Sequence, residues 1–406
     1  MSHAVPSIRL DLDLIPMEHQ GQELILIRDP LGLVPEGSAF PRHMARVLRL
    51  LDGSRDLAQL QEELTRMNGG SVVTREFIET LLGELDQTFI LASDRYQGAR
   101  RQKVAEFEAL PVREPALAGS GYPDEVEAIE KGIDDMLAAV KAPQQPEKRI
   151  TALVAPHIDL MIGAKAYGRV YSLLKGLMPE RVVILGVGHQ LAEAMYSPSG
   201  KDFRTPLGLV KGEPELAAAL RKAGGAVVAP DEFAHRSEHS IEFQLLFLQH
   251  LLPKDSFRVL PILCGPAAQS LEEYTRASFT ERAQGFLDAL AGIVAEPEVR
   301  TLVVAGVDLC HVGPKFGDAE TASQLEEPAT IHDKVLMDRL CDFDAKGFWS
   351  ESISVADAFH VCGFTALATL LEVLPASQGK VLEHQFWHEE ATRSGVGFAS
   401  AALLKS

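Results

Sequence analysis

Four short apolar runs, which begin at residue 149, decide the fold. They read RITALVAPH (149–157), RVVILGVGH (181–189), FRVLPILCG (257–265) and TLVVAGVDLCH (301–311). Each run is apolar on both faces, as strands covered on both sides of a parallel or mixed sheet must be. Helical patterns separate the runs, for example HSIEFQLLFLQHLL at 239–252. The predicted class is α/β, with helices on both faces of one central sheet.

Residues with reactive side chains stand where these runs end. His157 and His189 close the first two runs, and Asp308, Cys310 and His311 close the fourth. In sheets of this kind, ligands bind beyond the carboxyl ends of the strands. A single histidine at a strand end is more often structural, but several on one edge leave a metal site and a structural role as equal alternatives.

A cysteine outside the strands completes the candidate site. Cys362 opens the apolar pattern CGFTALATLLEVL, where the first turn of a helix would favour the thiolate. Imidazole nitrogen and thiolate sulfur suit Fe(II), Cu or Zn rather than Mg or Ca. We interpret Cys264, Cys310 and Cys341 as buried structural cysteines, and Phe243, Phe247 and Phe364 as core.

Length and charge limit the classes of protein that remain. The 406 residues suffice for two domains or three, and 39 basic against 57 acidic residues give a net charge of −18. That charge argues against a surface for nucleic acid. Four cysteines with no CxxC pair exclude a disulfide scaffold and a zinc finger. No signal segment and no membrane span is evident, so the expected location is the cytoplasm.

The front of the chain forms a separate predicted domain, 1–98, followed by a linker and helix, 99–149, and the main domain, 150–406. Residues 8–28 predict a β-hairpin with MEHQGQ as its turn, and three helical patterns follow, the third capped by Thr74. This order indicates a winged-helix-like module. Residues 1–100 hold ten arginines, no lysine and fifteen acids, which disfavours the DNA-binding interpretation. A docking or dimerisation module is the simplest alternative.

Seven ordered motifs in residues 150–402 resemble the Memo family, and in particular its AmmeMemoRadiSam protein B-like members. The motifs are PHIDLMIGAKAYG, GVGHQ, SEHSIEFQLLFLQHLL, PILCG, GVDLCHVGPKFGD, CGFTALATLLEVL and GVGFASAAL. The pattern of the front domain, chiefly VLRLLDGSRDLAQLQEEL, resembles the PqqD-like peptide-recognition modules. The chain departs from the Memo pattern at IDLMIG and at Gln190, which stands where a second histidine is usual.

The resemblance implies a fold similar to LigB-type class III extradiol dioxygenases. It also implies that His157, His189 and Cys362 bind a metal ion, most simply Fe(II), and that His239, Asp308 and His311 line the same pocket. Memo proteins are associated with oxidation-reduction chemistry. A radical-SAM protein is the implied partner, with a peptide bound by the front domain.

The EHSIE element allows two interpretations. In the functional one, His239 transfers protons and Glu238 or Glu242 orients it. In the structural one, Ser237 caps a helix whose dipole the acids complement. We favour function for His239 and leave both glutamates and His235 unassigned.

We therefore predict a metal-dependent redox protein in which His239 and His311 handle protons and Asp308 orients a histidine or a water. A non-catalytic scaffold that presents a peptide is the first alternative. An extradiol dioxygenase is the second, although Cys362 does not fit the usual triad of two histidines and a carboxylate.

Overall fold

The computed structural model describes residues 4–141, 143, 146–191 and 193–406. The chain divides into two compact units, Met1–Ala109 and Leu110–Ser406. The segment predicted as linker and helix, 99–149, is thus shared between the two units. Residues 142, 144 and 145 of that segment, and residues 1–3, lie outside the described residues.

The first unit combines a three-stranded antiparallel sheet, in the order β1-β2-β3, with four helices. Its elements are β1 (Asp13–His19), β2 (Gln22–Arg28), β3 (Ala39–Pro41), α1 (Met44–Leu48), α2 (Leu57–Met67), α3 (Arg75–Gln87) and α4 (Asp94–Glu108). The predicted cap of α3 is confirmed, since the Thr74 hydroxyl accepts from the Phe77 N–H at 3.2 Å. The likeness of this unit to PqqD-like modules stays a prediction.

The hairpin of this unit turns more tightly than its sequence suggested. Only Gln20 and Gly21 separate β1 from β2, so Met17, Glu18 and His19 belong to the strand rather than to a six-residue turn. Both turn residues have positive φ, 51° and 74°. Two-residue turns of that conformation twist in the same sense as the strands they join.

The second unit is built on an eight-stranded mixed sheet. Its main path runs β12-β14-β5-β11-β6-β10-β7, and β13 also pairs with β14. The strands of the unit are β4 (Val112–Arg113), β5 (Ile150–Ala155), β6 (Arg181–Val187), β7 (Tyr196–Pro198), β8 (Asp202–Thr205), β9 (Gly208–Val210), β10 (Arg258–Cys264), β11 (Thr301–Gly306), β12 (His311–Val312), β13 (Ser377–Glu389) and β14 (Ser394–Lys405). The four predicted apolar runs are β5, β6, β10 and β11, and they form the parallel centre of the sheet.

Helices cover both faces of this sheet, as predicted. They are α5 (Val126–Ala138), α6 (Ala164–Tyr171), α7 (Pro214–Gly224), α8 (Glu242–Leu251), α9 (Arg276–Val294), α10 (Ala322–Cys341), α11 (Ala345–Ser354) and α12 (Phe364–Val373). Along β5 the side chains alternate: Ala152 and Val154 join the core beneath α7 and α9 to α12, whereas Leu153 and Ala155 join the core beneath α5, α6 and α8. Burial on both faces explains why these strands lack polar positions.

Two glycines let the loop before α8 lie directly over the strand ends. A Cβ on Gly186, in β6, would lie 2.6 Å from the Ser240 hydroxyl, and one on Gly306, in β11, 2.5 Å from the Ser240 carbonyl oxygen. Ser240 uses this close approach, because its hydroxyl accepts from Val187 N–H at 3.0 Å. The loop 237–241 is thereby fixed at the carboxyl edge of the sheet.

No helix among the described residues combines the length and apolar character needed to cross a membrane.

Candidate metal centre

Three histidines from three separate segments converge at the carboxyl edge of the sheet. His157 follows β5, His189 follows β6, and His239 lies in the loop before α8. Their rings are 5.0 to 5.1 Å apart between centroids. One nitrogen of each ring lies within 4.8 Å of the corresponding nitrogens of the others. His157 is buried, His239 half-buried and His189 exposed, so the cluster opens to solvent on one side.

The hydrogen bonds of the rings show which nitrogens remain free. His157 Nδ1 lies 3.0 Å from the Gly306 carbonyl oxygen. Nδ1 of His189 lies 3.0 Å from a Glu238 carboxylate oxygen, and Nδ1 of His239 lies 3.2 Å from the other. A carbonyl and an ionised carboxylate can only accept, so each Nδ1 carries the proton. In the neutral form of each ring the Nε2 atom then carries a lone pair, as ligands of one metal ion require.

Glu238 is the carboxylate that organises this cluster. Its side chain is 4% exposed and also accepts from the backbone N–H groups of His239 at 2.8 Å and Ser240 at 3.0 Å. Burial alone would raise the pKa of Glu238, but the charges of His189 and His239 and the hydrogen bonds from their side chains lower it well below its usual value. The loss of water around the inner atoms of His189 lowers the pKa of that ring, yet Glu238 outweighs this effect and raises it on balance.

Burial decides the protonation of the innermost histidine. It lowers the pKa of His157 well below the usual value, and the neighbouring rings of His189 and His239 lower it further. The neutral imidazole is the form that binds a metal ion. Two hydrogen bonds fix the backbone on either side of His157: Gln244 Nε2 donates to the Pro156 carbonyl at 2.9 Å, and the Tyr167 hydroxyl donates to the Ile158 carbonyl at 2.8 Å.

Asp308 supports His157 rather than His311. Its Oδ1 accepts from the backbone N–H groups of His157 at 3.0 Å and Ile158 at 3.2 Å. Its Oδ2 lies 3.6 Å from His157 Nε2. Burial raises the pKa of Asp308 to about 7, against the lowering effect of those two N–H donors. Asp308 thus caps the loop that carries His157 and also lies at the edge of the cluster.

Cys362 lies beside the innermost ring. Its Sγ is 3.7 Å from His157 Nε2 and 3.5 Å from the Asp308 carbonyl oxygen. The expectation of a thiolate favoured by a helix start was wrong. Helix α12 begins at Phe364, after the cap residue Gly363, so Cys362 precedes the helix. Burial and then the Asp308 carboxylate raise the pKa of the thiol well above its usual value.

His311 lies next to the cluster but has its own partners. Its Nδ1 lies 2.9 Å from the Leu309 carbonyl oxygen, and its ring contacts Phe316. Burial lowers the pKa of His311 to about 4, and the charge of nearby His189 contributes to that shift. The adjacent Cys310 is buried and donates to the Ala329 carbonyl of α10 at 3.6 Å.

The two glutamates of EHSIE differ in role. Glu238 contacts the rings of His189 and His239, whereas Glu242 forms a buried ion pair with Arg113 and accepts from the N–H groups of Ala116 and Leu117. Gln190, which replaces the usual second histidine, donates to the Ser237 hydroxyl at 3.0 Å. Sequence reasoning did not find Arg113, because nothing in its surroundings indicates a partner 129 residues away.

Comparison with known proteins agrees with the motifs. The model of the Memo-like protein family matches residues 113–402. The chain belongs to the Memo family. A MEMO1 family protein of Thermococcus onnurineus is 30% identical over 309 residues, which cover 72% of this chain and all of that relative. One of Aquifex aeolicus is 28% identical over 379 residues, covering 92% of this chain and 94% of the relative.

A solved structure is also similar. It is an uncharacterized protein, JW3007, from Escherichia coli K12, with 12% identity and a TM-score of 0.37, covering 63% of this chain and 99% of that one. The family assignment of the present chain rests on the sequence relatives.

Proposed function

We propose that this Memo-family protein binds a redox-active metal ion, most simply Fe(II), at the carboxyl edge of its central sheet. His157, His189 and Cys362 are the proposed ligands. The observation that carries the proposal is that three imidazoles converge with every Nδ1 engaged as a donor, which leaves three Nε2 lone pairs together. Such a set of nitrogens beside a sulfur matches the preferences of Fe(II), Cu and Zn.

The position of Cys362 supports its place among the ligands. Nitrogen and sulfur bind these ions at roughly 2.0 to 2.3 Å, so two ligands of one tetrahedral ion lie about 3.5 Å apart. The 3.7 Å between Cys362 Sγ and His157 Nε2 is close to that spacing. A cation would also offset the burial that disfavours the thiolate.

The remaining side chains then have separate tasks. A bound ion of this kind would supply a Lewis acid and a centre that exchanges electrons. His239, held by Glu238, is the proposed proton carrier, and it is also the alternative third ligand. Asp308, with a pKa near 7, can hold or release a proton 3.6 Å from His157 Nε2. His311 is the proposed outer proton carrier.

Metal content measured on the full chain tests this proposal. The double variant His157→Ala/His189→Ala should lose the ion, and Cys362→Ser should lower its occupancy sharply, while His239→Ala should retain most of it. His388→Ala is the matched control. It changes a histidine of β13 that pairs with Glu326 of α10, and it should bind the metal ion as the wild type does. Equal occupancy in the wild type and the double variant would refute the site. Loss with His239→Ala but not with Cys362→Ser would assign the third position to His239.

We propose separately that the first unit binds an extended segment of a partner, for which a radical-SAM protein or its peptide is the candidate. The supporting observation is β1, which pairs only with β2 among the described strands of its sheet. Its Leu14, Ile15 and Met17 are 41%, 37% and 36% exposed. An edge strand of this kind offers free N–H and C=O groups to an added strand.

A further inference from the structure

A cleft of about 450 Å³ opens beside the histidine cluster. Cys362 lines it, and so do Val187 and Gly188, which lead directly to His189. Since Cys362 Sγ also lies 3.7 Å from His157 Nε2, the cleft and the proposed metal site share a wall. The volume falls in the range of sites that hold small molecules.

The walls of the cleft are mainly apolar. Leu191, Ala267 and Leu271 form part of them, together with Phe364 at the start of α12. Leu271 is 68% exposed, whereas Phe364 is 4% exposed. A ligand with an apolar body would remove the Leu271 side chain from water, and each square ångström of apolar surface so covered stabilises the bound state.

One carboxylate gives the cleft a negative charge. Among the described residues that line it, Asp357 carries the only formal charge. One of its oxygens accepts a long hydrogen bond, 3.4 Å, from the Val361 N–H. Asp357 and Ala356 both have positive φ, 56° and 48°. Backbone of this kind persists where the surroundings hold it, which is common at binding sites.

We propose that this cleft binds a small amine with an apolar body and presents it to the metal site. The ammonium group would pair with Asp357, and the hydrocarbon would lie against Leu271 and Ala267. A charge-assisted hydrogen bond to a partly buried carboxylate favours a cation over a neutral molecule. An anion of the same shape would be repelled by Asp357. Presentation of the amine to a metal ion rests on the proposed function, but the preference for an amine depends on the cleft alone.

Three probes of similar shape test the charge preference: the cation phenethylamine, the neutral phenethyl alcohol and the anion hydrocinnamate. Each is titrated by calorimetry into the full chain after a chelator has removed any metal ion. The amine should bind at least about tenfold more tightly than either of the others, since a hydrogen bond from an ammonium group to a carboxylate is stronger than one between neutral groups. Asp357→Asn should reduce the advantage over the alcohol to about twofold or less. Asparagine also tolerates positive φ, so this variant should fold normally.

Asp288→Asn is the matched control, because it removes one exposed carboxylate of α9 outside the cleft and should leave the preference intact. Location is tested by alkylation of Cys362, since the other three cysteines are buried. The amine should slow that reaction at least fivefold. Equal binding of the three probes, an equal effect of both substitutions, or unprotected Cys362 would each overturn the inference.

The two proposals fail separately. The double variant His157→Ala/His189→Ala alters no residue that lines the cleft, so it should keep the amine preference even though it loses the metal. If that variant retains metal, the proposed function fails whatever the probes show.

Discussion

Glu238 holds His189 at two points, accepting from its backbone N–H at 3.2 Å and from its Nδ1 at 3.0 Å. The same carboxylate reaches His239 Nδ1 at 3.2 Å. One buried acid therefore sets the orientation and the tautomer of two histidines in the cluster. Carboxylates that orient metal-binding histidines in this way commonly change affinity 10–100-fold when they are replaced.

Glu238→Gln should accordingly weaken metal binding by about 10–100-fold while the fold persists. A glutamine amide cannot accept from both rings and the backbone together, because one of its two ends is a donor. Competition with a chromophoric chelator measures the affinity. Glu281→Gln, an exposed change on α9, should have no effect. Unchanged affinity in Glu238→Gln would show that Glu238 is structural.

Glu242 supports the fold rather than the metal. Glu242 forms an ion pair with Arg113 in which the Glu242 side chain is 0% exposed and the Arg113 side chain 1% exposed. The Tyr122 hydroxyl also donates to the Glu242 carboxylate. Glu242→Gln leaves a buried guanidinium without its counterion, which typically costs about 3–5 kcal/mol. Asp135→Asn breaks an exposed pair with Lys131 and should cost under about 0.5 kcal/mol.

Urea unfolding followed by tryptophan fluorescence measures this difference. Both tryptophans, Trp349 and Trp387, belong to the second unit, so the signal reports the unit that contains the ion pair. Costs of similar size in the two variants would contradict the assignment of Glu242.

The sequence predicted the parallel strands and the edge at which His157, His189 and Asp308 lie, because short runs that are β-rich and apolar on both faces are typical of covered strands. It could not separate Glu238 from Glu242. Their spacing of four residues suggests one face of a helix, but α8 begins at Glu242, so Glu238 belongs to the loop before it. The two carboxylates consequently point to different parts of the molecule.

Long-range contacts were the other reason why the structure differs from the prediction made from the sequence. The segment that begins with Arg113 has the composition of a linker, yet it belongs to the second unit, where Arg113 pairs with Glu242, 129 residues further along the chain. Local periodicity holds no information on such a contact. The hairpin turn, by contrast, was predicted too long because Glu18 and His19 are polar. Strand β1 nevertheless continues through both residues, and the turn consists of Gln20 and Gly21.

His235 should make the second unit sensitive to acid. Burial lowers its pKa to about 4, against the influence of the Ser197 carbonyl, which lies 2.8 Å from its Nε2. The nearby Glu232 raises this pKa, while Arg113 and Arg221 lower it further. His235 binds a proton near pH 6.5 in the unfolded chain but only near pH 4 in the folded chain. Its contribution to the free energy of unfolding is therefore complete above about pH 6.5 and falls as the pH decreases toward 4.

His235→Gln should therefore make the decline in stability between these two pH values less steep. The difference from the wild type should reach roughly 3 kcal/mol, from about 1.4 kcal/mol for each unit of pKa shift. Glutamine can still donate to the Ser197 carbonyl, and it does not titrate. Urea unfolding at several pH values between 4 and 7 measures the effect. Parallel profiles for the two proteins would show that His235 is not the acid-sensitive group.

The β1 edge should bind peptide and not duplex DNA. The first hundred residues have fifteen acids against ten arginines, so they cannot neutralise a row of phosphates. A peptide selected by display against the full chain should slow hydrogen exchange of the amides in Asp13–His19, because an added strand hydrogen-bonds to that edge.

Ile15→Lys/Met17→Lys should weaken binding of the peptide at least about tenfold, since two charges replace apolar contacts of roughly 1 kcal/mol or more together. Phe77→Lys, which changes a side chain 60% exposed on α3, is the control and should leave the peptide bound. Protection confined to other segments, or sub-micromolar DNA binding that weakens with salt, would contradict this assignment of the edge.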